Sequence, residues 1–110
     1  MRFRTGDLVL DTDHKSVAVA GVPVRLTRKE FRILELLSLH QGVAVSRAAL
    51  LDNLYGGADD RPEIRIIDVF VAVLRKKLAD ASRRRRSSYI VTVGDQGFKL
   101  SDPSALPPQA

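Results

Sequence analysis

The chain has no cysteine and no tryptophan. Without thiols there can be no disulfide, thiolate metal ligand or cysteine nucleophile, and the composition fits a reducing compartment. Aromatic residues make up only 5%, so the core has to be aliphatic. No apolar run approaches the ~20 residues of a membrane-spanning helix. The opening Met1-Arg2-Phe3-Arg4-Thr5-Gly6-Asp7 is too polar for a signal peptide. The expectation is a cytoplasmic protein with no membrane partner. His14 and His40 lack cysteine or clustered carboxylates as co-ligands, while Asp11 and Asp13 lack the glycine and terminal glutamate of a calcium loop. Neither a metal nor a cofactor is expected. The sequence offers no glycine-rich phosphate cradle and no nucleophile elbow, so no catalytic residue is assigned and an enzyme is not expected.

What remains is a balance of 45% hydrophobic and 28% charged residues over 110 positions, which is that of one globular domain. The formal charge is +5, and it is unevenly placed. Arg75, Lys76, Lys77, Arg83, Arg84, Arg85 and Arg86 face only Asp80, a local charge of +6, which leaves −1 for the rest of the chain. Such a block is the footprint expected for a polyanion, or else a basic face kept for solubility.

The first 25 residues read as short strands: Leu8-Val9-Leu10, Val17-Ala18-Val19 and Val22-Pro23-Val24. Pro23 cannot donate to a ladder, which puts its strand at an edge. From Leu26 the period changes. Thr27-Arg28-Lys29-Glu30 has the capping-box form, and the helix behind it is apolar on most of its circumference through Leu39, with Gly42 as its stop. Ser46 caps a second helix that presents Leu50, Leu51 and Leu54 inward and ends at Gly56-Gly57. Pro62 suits a first helical turn, so the third helix is predicted from about Pro62 to Ala81, with Ile67, Val71, Leu74 and Leu78 as its buried stripe. Tyr89 to Val93, a turn at Gly94-Asp95-Gln96-Gly97, and Phe98 to Leu100 read as a hairpin. Three helices followed by a hairpin is the order of a winged helix, which is an α+β helix-turn-helix fold with an N-terminal antiparallel sheet and a C-terminal wing. The predicted domain covers residues 1–102: the sheet over 1–25, the helical core over 26–82 and the wing over 88–101. Residues 103–110 form a flexible tail.

Leu26-Thr27-Arg28-Lys29-Glu30-Phe31, Ser46-Arg47, Ile67-Asp68-Val69, Leu74-Arg75-Lys76-Lys77-Leu78 and Tyr89-Ile90-Val91-Thr92-Val93 resemble the OmpR/PhoB-type effector domain of bacterial response regulators. The resemblance runs from about Gly6 to Asp102. It implies a four-stranded N-terminal sheet and binding to tandem half-sites of double-stranded DNA, with a homodimer on DNA. It also implies RNA polymerase contact through the loop at Gly56, Gly57, Ala58, Asp59, Asp60 and Arg61. Two departures stand out. The family usually carries long polar residues where this chain has Ala72 and Val73, and a basic wing residue is replaced by Gly94, with the anion Asp95 beside it.

On this reading Arg65, Asp68, Val69, Ala72, Val73 and Lys76 lie nearest the bases, and Arg47, Arg75, Lys77, the four arginines 83–86 and Thr92 meet the backbone. Each position has a plainer alternative. Asp68 either accepts from a cytosine amino group or orients a neighbouring arginine, and Val73 either meets a thymine methyl or completes the core stripe. The arginine run either straddles phosphates or is a solvated loop, and Thr92 is either a phosphate contact or an ordinary strand residue. A regulator that binds DNA is the first reading. The alternative is a protein-interaction module on the same scaffold that contacts RNA polymerase. No receiver domain lies in these residues. If Met1 is the natural start, control comes from expression, a partner or proteolysis; otherwise the missing half carries the switch.

Overall fold

The computed structural model describes residues 1–57, 59–82 and 89–102. The chain opens with four short strands, β1 (Arg2–Thr5), β2 (Leu8–Asp11), β3 (Ser16–Val19) and β4 (Val22–Pro23), paired antiparallel in the order β1-β2-β3-β4. Leu8 faces Val19 and Leu10 faces Val17 across the β2–β3 ladder. All four side chains are buried, so this pair supplies the sheet's core face. Pro23 sits in β4 at the sheet edge, where its missing N–H costs no ladder bond. Strand β1 extends the three strands read from the sequence. Its Arg2 and Arg4 are exposed while Phe3 and Thr5 turn inward, so the alternation is written largely in charges rather than in apolar residues. Gln41 ties this edge to the helical layer through Nε2, which donates to the Thr5 hydroxyl at 2.9 Å.

Helix α1 (Arg28–Leu39) starts on the expected capping box. The Thr27 amide donates to Glu30 Oε1 at 2.9 Å, and the Glu30 amide donates to the Thr27 hydroxyl at 3.3 Å. Ile33, Leu34 and Leu37 are fully buried, making α1 the central element of the core. Helix α2 (Arg47–Tyr55) is capped by the Ser46 hydroxyl, which accepts from the Ala49 amide at 3.1 Å, and it ends at Gly56. Helix α3 (Ile66–Ala81) begins later than predicted. Before it, the amides of Ile66, Ile67 and Asp68 reach back only three residues, to the carbonyls of Glu63, Ile64 and Arg65. This tight turn takes the place of the extra helical turn expected from Pro62.

Strands β5 (Ile90–Val93) and β6 (Gly97–Leu100) form the hairpin, joined by one 3₁₀ turn at Gly94–Gln96. The hairpin is fastened to the domain at its base. Val45 and Phe98 exchange backbone hydrogen bonds at 2.7 and 3.0 Å, and the buried Tyr89 donates its hydroxyl to the Asp7 carboxylate. The wing therefore projects from a fixed base beside the start of α2.

Candidate nucleic-acid interface

The outer face of α3 follows from its period. With Ile67, Val71, Leu74 and Leu78 buried, the residues between them turn outward: Asp68, Val69, Ala72, Val73 and Lys76. Val69 is 56% exposed and Val73 39%, so Val73 lies outside the core stripe. The centre of this face is apolar. Lys76 is exposed and has neither a carboxylate nor a side-chain hydrogen-bond partner among the described residues. Arg65 stands just before the helix, exposed, with Nε 2.9 Å from Glu63 Oε2.

A second set of contacts joins α2, α3 and the wing. Arg47, in the first turn of α2, places Nε 3.0 and 3.2 Å from the two oxygens of Asp68. Of the two roles open to Asp68, holding an arginine is the one the geometry displays. The Arg47 guanidinium also lies 4.6 Å from the ring centroid of Phe98. The guanidinium of Arg75 approaches the same ring at 5.8 Å while donating to the Ile90 carbonyl at 3.1 Å and to the Thr92 hydroxyl at 2.8 Å. Phe98 is thus shared between two cations, and Arg75 and Thr92 stitch α3 to β5.

Lys77 leaves the outer face altogether. Its Nζ lies 2.7 Å from Glu30 Oε1, 47 positions away in sequence. Burial by itself would raise the Glu30 pKa, but the Lys77 ammonium and the Thr27 amide outweigh it and hold the carboxyl below its ordinary value. Near the wing base, burial and then the Asp7 carboxylate push the Tyr89 phenol up to about 12.

Between α2 and α3, Gly56, Gly57, Asp59 and Asp60 are exposed. Arg61 braces this loop by donating to Asp52 Oδ1 at 2.7 Å and to the Gly56 carbonyl at 3.0 Å. Ala58 and the four arginines 83–86 lie outside the described residues. Among the described residues no helix is long and apolar enough to cross a membrane.

The sequence reading grouped Arg65, Asp68, Val69, Ala72, Val73 and Lys76; the last five lie on the outer face of α3, and Arg65 is exposed just before the helix. It missed Phe98 as the ring on which Arg47 and Arg75 converge, and it missed Gly97, which lets the wing reach Val45. The one available signal was the glycine-aromatic pair directly after the turn.

An N-terminal sheet, a three-helix core with a helix-turn-helix, and a hairpin wing define a winged-helix domain of the OmpR/PhoB type. The family described as "Transcriptional regulatory protein, C terminal" (Trans_reg_C) matches residues 21–100, and the chain belongs to that family. The chain is 50% identical over 101 residues to the cell cycle response regulator CtrA of Brucella ovis and of Brucella anthropi, covering 92% of this chain and 42% of each relative. It therefore spans less than half the length of the curated relatives it matches. Among solved structures, the DNA-binding domain of Klebsiella pneumoniae RstA in complex with the RstA box superposes with a TM-score of 0.74 at 32% identity, covering 92% of this chain and 97% of that one. The DNA-binding domain of CpxR from E. coli gives 0.76 at 26% identity, covering 94% and 99%. The Thermotoga maritima OmpR/PhoB homologue DrrB gives 0.76 at 29% identity, covering 91% and 44%.

Proposed function

We propose that the chain is a DNA-binding transcription regulator whose α3 enters the major groove and whose wing rests on the adjacent backbone. One observation carries the reading: the outer face of α3 shows Val69, Ala72, Val73 and Lys76 to solvent, with the wing anchored beside it through Arg75 and Thr92. Likeness to a domain solved on its DNA box supports it. Phosphate contacts position such a domain and base edges specify it. Lys76 is exposed with no carboxylate partner among the described residues and can reach DNA directly, while Arg65 has first to leave Glu63 and Arg75 acts first by holding the wing. The apolar centre reads thymine methyl groups, the one base-edge feature that valine and alanine can recognise.

Binding to tandem half-sites as a homodimer, and contact with RNA polymerase through residues 56–61, complete the proposal. The exposed Asp59 and Asp60 on a loop braced by Arg61 support the second part. Selection from a random duplex pool would give half-site and spacing together. Replacing thymine by uracil within the selected site then tests the methyl reading, with an expected cost of about 1 kcal/mol per contacted methyl. Tight binding that ignores the methyl removes that part of the proposal. Absence of binding to any duplex at low salt, with polymerase binding retained, would favour the interaction-module reading.

A further inference from the structure

We propose that Asp68 limits how strongly the chain holds DNA irrespective of sequence, by keeping the charge of Arg47 cancelled on the surface that meets the duplex. The inference rests on the DNA-binding reading above. Both Asp68 oxygens are taken up by Arg47: Nε approaches them at 3.0 and 3.2 Å, and Nη2 lies 3.0 Å from Oδ1. The guanidinium is held from its other side by the buried ring of Phe98 at 4.6 Å. To reach a phosphate, Arg47 has to leave an anion and an aromatic face at once.

As a contribution to folding such a pair is weak, because the Asp68 side chain is 49% exposed and water screens it. Its effect on a polyanion is not weak. Every cation that settles on a phosphate releases condensed counterions, and this sequence-independent contribution dominates non-specific binding. A cation paired to its own carboxylate adds nothing to it. Arg65 on Glu63 repeats the pattern, and Lys76 is exposed on the outer face of α3 with no carboxylate partner among the described residues. Discrimination between sites is a difference of affinities, and suppressing the non-specific one widens it as surely as improving the specific one. Asp68 is therefore a positioning residue that acts through Arg47.

The test measures affinity for a random-sequence duplex against salt, for the wild type, Asp68→Asn, Arg47→Gln and the double variant. Asparagine keeps the shape of Asp68 and can still accept one hydrogen bond, so a melting curve should show the fold intact. Its charge is gone, and the freed Arg47 should steepen the slope of log K against log salt by about 0.9. The affinity advantage over wild type then grows by roughly three- to fourfold between about 200 and about 50 mM salt. In the Arg47→Gln background the same substitution should leave the slope unchanged. Arg47→Gln alone should leave the slope unchanged, since that cation was never counted.

An equal steepening of the slope by Asp68→Asn in both backgrounds would overturn the inference, because Asp68 would then act on phosphates without Arg47. So would a flatter slope in Arg47→Gln alone, which would mean that Arg47 already holds a phosphate. Wild-type protein that binds no duplex at low salt overturns the DNA-binding reading itself, a result distinct from either of these.

Discussion

Lys77 belongs to α3 by sequence but to α1 by chemistry. Its ammonium meets Glu30, a residue only 5% exposed that also completes the α1 capping box. Substituting Glu30→Gln should cost about 1–3 kcal/mol in urea unfolding, because a cap partner is weakened and a half-buried cation loses its anion. The pH dependence has a fixed sign. A carboxyl held below its ordinary value of 4.5 contributes stability that is complete above that pH and fades as pH falls. Wild type should lose stability on acidification through that range faster than Glu30→Gln does. Asp11, drawn to about 2 by hydrogen bonds from the His14 ring and amide, adds acid sensitivity between 3.8 and about 2. Tyr89 works in the opposite direction. Its phenol is raised from 10.0 to about 12, so its contribution is complete below pH 10 and is lost as pH rises toward 12. Unfolding free energies across that window should fall for wild type and stay flatter for Tyr89→Phe.

Among the elements, the wing depends most on a single position. Gly97 has φ of +122°, and a Cβ built there would lie 2.0 Å from the Val45 carbonyl oxygen. Gly97→Ala should therefore break the exchange of hydrogen bonds between Val45 and Phe98, at a cost of about 2–4 kcal/mol. Gly94, also at positive φ, has open space around it, and Gly94→Ala should cost only about 1 kcal/mol. Comparing the melting temperatures of the two variants checks this order. The wing lesion should also weaken DNA binding, since the wing proposed to rest on the backbone would lose its anchor at Val45. Element types and both caps were legible in the sequence, because periodicity and capping boxes span only a few residues. The start of α3 was not. Pro62 permits a helix at its position but does not compel one, and the chain takes a tight turn there instead. Strand β1 was faint for another reason: an edge strand with exposed arginines lacks the apolar signal of an inner one.

For the whole molecule, the relevant quantity is the number of cations left unpaired, not the net charge. The +5 of the sequence is a sum and does not say which cations are available: among the described residues Arg47 and Arg65 are each matched by a carboxylate, and Lys77 is turned away to Glu30. Lys76→Ala should then weaken binding almost equally on all duplexes and flatten the salt slope by about 0.9. Lys77→Ala should destabilise the fold and leave that slope unchanged. Fluorescence anisotropy across a salt series, paired with thermal melts, separates the two lysines.

By itself the sequence determined the winged-helix order of elements, the aliphatic core, the capping residues and the set of side chains on the outer face of α3. All of these depend on spacing within a helix or strand. Only the tertiary structure decided which of the cations are free. The deciding partners lie 21 positions apart for Arg47 and Asp68 and 47 apart for Lys77 and Glu30. No local pattern encodes such distances. Whether a charge faces solvent or a buried carboxylate depends on how helices pack, and that packing is set by the apolar stripes on their opposite faces.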